Sequence, residues 1–109
     1  MTYTVIVTPA AQTDIALAFA YIQERSPLNA QRWLRGLYKM VHTLETLPKR
    51  CGRAREADLI GEDIRQTFFK SHRIIFRIEE VEKIVHILHV RHGARAAISP
   101  DDTRDDADL

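Results

Sequence analysis

The dipeptide Ser26-Pro27 falls between two stretches of helical periodicity and can lie inside neither. Proline has no amide hydrogen to continue a helix and pushes the residue before it towards extended backbone, so one helix ends here and another begins. Upstream, Ala11, Ile15, Ala18, Phe19 and Ile22 recur at three- and four-residue spacing, giving one apolar face over roughly residues 9–24. Downstream, Ala30, Trp33, Leu34, Leu37, Val41, Leu44 and Leu47 form the face of a second helix that starts near Pro27 or Leu28 and runs to Pro48. Two such helices joined by so few residues pack as an antiparallel hairpin, and their shared face needs a further surface to cover it.

The rest of the chain supplies that surface. Residues 3–7 (YTVIV) are β-rich and run into Thr8-Pro9, which reads as a helix N-cap followed by the first helical position. After a polar loop between Pro48 and Glu62, with four basic residues among positions 49–55, come three strand-like segments at 63–69, 72–79 and 83–91. Lys70-Ser71 and Glu80-Val81-Glu82 are the expected turns. In the middle segment Ile74, Phe76 and Ile78 alternate with Arg73, Ile75, Arg77 and Glu79, which predicts one sheet face on the helices and one in solvent. The order is therefore β-α-α-β-β-β, an α+β fold with a helical hairpin on one face of a small, mainly antiparallel sheet.

With 109 residues the chain suits one domain, expected over residues 1–99, with a short helical turn at 94–99 and a disordered acidic tail at 100–109. Residues 101–109 hold five Asp and one Arg, a net of −4, which leaves +5 on residues 1–100 out of the overall +1. A mildly basic globule with an acidic tail suits a polyanion or an acidic protein segment, and the tail itself could fold over Arg65 and Arg73. No long apolar run and no signal-peptide pattern occurs, so a soluble, cytoplasmic protein without a membrane partner is expected. Cys51 is the only cysteine, which forbids an internal disulfide; Arg50 and Arg53 beside it would lower its pKa as for a reactive thiol, but an ordinary loop cysteine is the favoured reading.

Candidate chemistry collects on the expected outer sheet face and its rim: Arg65, Arg73, Arg77, Arg91, His92 and Arg95. Arginines on alternate strand positions suit phosphates or acidic peptides through bidentate hydrogen bonds, or else pair with Glu79, Glu80 and Glu82 as solvated ion pairs. His92 could act as a general acid or base, and Glu56 and Asp58 could supply a base beside the basic patch or simply pair with Arg53 and Arg55. His86, His89 and His92 are three apart, a spacing that in a strand puts neighbours on opposite faces, so no metal site is expected, and no cofactor motif occurs. The Trp33 and leucine stripe on the second helix reads as core rather than as a partner surface.

Taken together, YTVIVTPAAQTDIALAFAYIQERSP, a second helix ending LPKRCGR, then GEDIRQTFFKSHRIIFRI and IVHILHVRHGAR resemble the ParE/RelE superfamily of toxins from bacterial type II toxin–antitoxin systems. The resemblance spans about residues 3–97. Its points are Pro9-Ala10, Asp14-Ile15, Tyr21-Ile22, Pro48, Gly52-Arg53, Gly61, Ile64-Arg65 and the closing HVRHGAR. It implies a βααβββ toxin that inhibits growth, is neutralised by a cognate antitoxin wrapping around it, and forms oligomers only through that antitoxin. RelE-like members cut mRNA on the ribosome; ParE-like members poison DNA gyrase. Arg73 falls on the strand arginine that stabilises phosphate in nuclease members, and Arg65, Arg91 and Arg95 sit where basic residues are common. A nuclease of this kind would use the substrate 2′-OH as nucleophile, with Arg73 and Arg91 on the phosphate and His92 or Glu56 moving the proton. His72 stands where many members have tyrosine, no tyrosine follows Tyr38, and the HGAR ending is closer to the ParE-like branch. The resemblance thus favours action on gyrase, with mRNA cleavage or a non-toxic peptide-binding module as the alternatives.

Overall fold

A computed structural model describes residues 2–60 and 63–93. The expected helical turn at 94–99, the acidic tail, Gly61 and Arg95 lie outside the described residues. Strand β1 (Thr4–Val7) leads into helix α1 (Pro9–Arg25) through Thr8. The Thr8 hydroxyl accepts from the Ala11 amide at 3.3 Å and donates to the Ile87 carbonyl at 2.7 Å, so one side chain caps the helix and ties its start to the sheet. Ser26 is extended, at φ −161° and ψ 105°; it closes α1 and caps helix α2 (Pro27–Thr43), its hydroxyl accepting from the Asn29 amide at 3.2 Å. The break placed by Pro27 is a single residue wide.

Helix α2 ends at Thr43, four residues short of the expected Leu47. Leu44 is still buried, but Leu47 adopts left-handed backbone at φ 51° and is 67% exposed, so the apolar periodicity overran the helix. The reason is local. The Arg50 guanidinium donates to the carbonyls of Thr43, Thr46 and Leu47 at 3.3, 2.7 and 3.1 Å, satisfying groups a helix end leaves without partners. A 3₁₀ turn at Pro48–Arg50 places Arg50 for this task.

The sheet runs β1-β4-β3-β2, with β2 at Ile64–Phe69, β3 at His72–Glu79 and β4 at Ile84–His92. β1 pairs with β4 in parallel and the other pairs are antiparallel, as the chain order β-α-α-β-β-β requires when the helical hairpin carries it across the sheet. Ala11 and Ile15 of α1 and Trp33, Leu37 and Val41 of α2 pack on Ile74, Phe76, Val85, Ile87 and Val90. At Gly36 a Cβ would stand 2.6 Å from the Phe69 ring, which shows how closely α2 lies on β2.

The second face of the sheet departs from expectation. Arg73 and Ile75 are buried, not in solvent, because the loop after Pro48 folds back over them. Ala54 donates to the Ile64 carbonyl at 2.7 Å and Gln66 to the Gly52 carbonyl at 3.1 Å, which seats the loop on the free edge of β2. A short helix α3 (Ala57–Ile60), also absent from the expected pattern, follows it. Ala54 and Ala57 close a second, smaller core with Ile64, Ile75 and Leu88. A bulge in β4 feeds that core: Ile75 faces His89 and Phe76 faces Ile87 across the ladder, leaving Leu88 as the extra residue. Ile87 and Val90 consequently share the main core although three residues apart, so simple alternation fails across this stretch.

At the other end of the sheet Glu80 gathers three groups: Lys49 at 2.7 Å, Lys83 at 2.9 Å and the Tyr3 hydroxyl at 3.1 Å. The hydrogen bond from Lys49, then that from Lys83, pulls its carboxyl down from the ordinary 4.5 to about 2. A depressed folded-state value contributes stability that is present above pH 4.5 and is lost as pH falls from there through about 2. Glu80→Gln should therefore be less stable than the parent at neutral pH, with the difference closing over that acid range in urea titrations. A gap that stays constant with pH would refute the pairing.

Candidate functional site

Of the six basic positions singled out in the sequence, Arg95 lies outside the described residues, and the other five do not form an open patch. Arg73, from the middle of the sheet, is 2% exposed and Glu56, from the loop, is 1% exposed. Its guanidinium meets Glu56 with both terminal nitrogens, one at 3.0 Å, and also donates to Gln66 Oε1 at 2.7 Å. Arginine's planar fork makes this bidentate pairing possible, and both charges are compensated where water does not reach. Glu56 and Arg73 are thus brought together, but as a buried ion pair under the loop and not as base and phosphate clamp on a surface. Asp58, exposed, pairs with Arg53 at 3.0 Å.

Arg65 is also occupied. It donates to the carbonyls of Lys49 and Cys51 at 3.0 and 2.7 Å, pinning the start of the same loop. Cys51 is buried. Arg77 is half-buried on β3. Arg65 and Arg73 thus hold the loop on the sheet, a role that charge on a strand in the sequence does not distinguish from ligand binding.

Past Val7 strand β1 stops, and the edge of β4 it would have covered is taken by Asp14 of α1. The Asp14 carboxylate accepts from the Val90 amide at 3.1 Å, pairs with His89 Nδ1 at 2.8 Å, and has Arg91 Nε at 3.6 Å. Asp14 and His89 lie 75 positions apart, so nothing local announces their meeting. Asp14→Ala removes the acceptor of the Val90 amide and the carboxylate that faces His89 and Arg91, which should cost about 1.5–3 kcal/mol in denaturant unfolding. A change within error would mean that the carboxylate does not close that edge.

His92 remains exposed at the end of β4. Its ring meets His72 edge-on at 5.5 Å, and His72 meets Trp33 of α2 at 5.1 Å, a ladder of three rings from surface to core. Arg91 and His92 are consecutive in the strand, and the pleat sends consecutive side chains to opposite faces. Among the described residues no three His, Cys, Asp or Glu side chains gather in a way that could hold a metal ion, and no helix is long and apolar enough to cross a membrane.

A family model described as the ParE toxin of the type II toxin–antitoxin system parDE matches residues 5–97. The chain belongs to this family. Two solved structures share its fold. One is the toxin–antitoxin complex RelBE2 from Mycobacterium tuberculosis, at 23% identity and a TM-score of 0.55, covering 84% of this chain and 99% of that one. The other is a chromosomal ParDE toxin–antitoxin system from P. aeruginosa, at 18% identity and a TM-score of 0.66, covering 84% of this chain and 96% of that one. No curated protein matches the chain. This ParE-family toxin therefore has the α+β architecture of RelE-like and ParE-like proteins alike, and their common fold does not choose between the two kinds of target.

Proposed function

We propose that this toxin inhibits growth by acting on DNA gyrase and is neutralised by a cognate antitoxin. The observation that carries the choice of target is the state of Arg73. In the nuclease reading this arginine stabilises a developing phosphate charge, which needs donors that point at the substrate from an open site. Here its donors point at Glu56 and Gln66, and the side chain is sealed under the loop. Arg65 is held by backbone carbonyls, and Arg91 lies beside Asp14. The lack of any tyrosine after Tyr38 weighs the same way. The match to the ParE family supports the gyrase reading as well, and the two solved neighbours, both toxin–antitoxin complexes, support the antitoxin.

The test pairs two assays on the purified protein: gyrase supercoiling of plasmid DNA, and mRNA integrity on programmed ribosomes. The expected result is inhibited supercoiling or trapped gyrase–DNA breaks with intact mRNA. Cleaved mRNA with normal supercoiling would overturn the reading and make His92, the exposed member of the set, the first residue to replace. Silence in both assays, with no effect of induced expression on growth, would leave a peptide-binding module.

A further inference from the structure

We propose that the acidic segment at residues 101–106 of this chain docks on the groove between α1 and α2. The groove is an open depression of about 430 Å³, with half-buried Phe19, Leu34 and Tyr38 as its apolar floor and Arg35, Lys39 and His42 also lining it. Helix α2 carries Arg32, Arg35 and Lys39 and no acidic residue. Arg35 and Lys39 are four apart, so they stand one above the other on the same helix face. Most basic side chains elsewhere are engaged: Arg50 on backbone carbonyls, Arg65 on the loop, Arg73 on Glu56, Lys49 and Lys83 on Glu80. Arg35 and Lys39 have no hydrogen-bonding or ionic partner among the described residues, and His42 has Glu45 at 3.1 Å. The unneutralised positive charge of this face thus concentrates beside an apolar floor.

The chain contains a complementary segment. Residues 101–106 read DDTRDD, four Asp to one Arg, and Ile98 stands three positions before the first of them as an apolar side chain for the floor. The reach is sufficient. β4 delivers His92 next to His72, which touches Trp33 of α2. From Gly93 to Asp101 an extended chain spans up to about 27 Å, whereas Trp33 to Lys39 along the helix is about 9 Å. The surface first expected for the tail, Arg65 and Arg73, is excluded because both guanidiniums are already bonded within the fold. Contacts of this kind lie in solvent, so they weaken steeply with salt.

Amide spectra of the full chain at low salt test this against the variant D101N/D102N/D105N/D106N. The substitutions should shift the amides of residues 34–42, added salt should move the parent's amides towards the variant's positions, and neither effect should depend on protein concentration. In an R35A/K39A background, two exposed positions whose loss leaves the core intact, the tail substitutions should move nothing on α2. Shifts centred on another surface, shifts that survive in R35A/K39A, or shifts that vanish on dilution as a contact between two copies would, each overturn the assignment. So would an α2 spectrum that ignores both the tail and the salt.

Discussion

Arg73→Met should lower stability by about 3–5 kcal/mol, because it strips the buried Glu56 carboxylate of its bidentate partner and leaves Arg55, at 3.8 Å, as a poor replacement. For a domain of this size each kcal/mol is worth roughly 4 °C or more in Tm, so a loss of about 12 °C or more is expected in a thermal melt. Native domains hold only about 5–15 kcal/mol in total, which puts this variant close to unfolding. The double variant R73M/E56L is the control. Removing both charges and filling the space with apolar side chains should restore most of the loss, since a buried ion pair is often no better than a well-packed hydrophobic replacement. If R73M alone melts with the parent, Arg73 is not sealed in solution and the open basic face regains its standing. The result also governs how a loss of toxicity at this position is read: it would report the fold, unless the melt is unchanged.

The same residue marks where sequence reading stops. Elements fixed by local chemistry were legible: Ser26-Pro27 sets the hairpin, Thr8-Pro9 starts α1, and all three C-terminal strands fall within a residue or two of their expected bounds. The main core face of Ala11, Ile15, Trp33, Leu37, Ile74 and Phe76 follows from periods of 3.6 and 2. The misses are all non-local. Periodicity carried α2 on to Leu47, because the agent that closes the helix is the side chain of Arg50, seven positions after Thr43. Nor could alternation tell that Arg73 and Ile75 face a loop, since four basic residues in seven positions disguise a segment whose small residues Ala54 and Ala57 pack as core. Asp14 stood out in the resemblance but had no visible role until β4 was placed beside α1. For the candidate site the consequence is large: charge on a strand signals a partner, and only the third dimension shows that for Arg73 and Arg65 the partner is the protein itself.

Ile75→Ala separates these two views of the sheet most directly. If the second face were in solvent, a truncation there would change stability by no more than about 0.5 kcal/mol, as at most surface positions. Buried in the small core with Leu88, Ala54, Ala57 and Ile64, Ile75 should instead cost about 2–5 kcal/mol on truncation, and Ile75→Val about 0.5–1.5. Leu88 occupies that core only because of the bulge in β4, so Leu88→Ala should fall in the same range, and the double variant should cost less than the sum because the two share one cavity. Hydrogen exchange adds a spatial readout. The Ala54 and Gln66 amides, bonded between loop and β2, should lose protection in Ile75→Ala ahead of the Val90 amide held by Asp14. Loop amides that exchange alike in parent and variant would mean that Ile75 does not anchor the loop. Loss of both protections together would instead show that the small core and the main core unfold as one unit, and that the loop sealing Arg73 opens only when the whole toxin does.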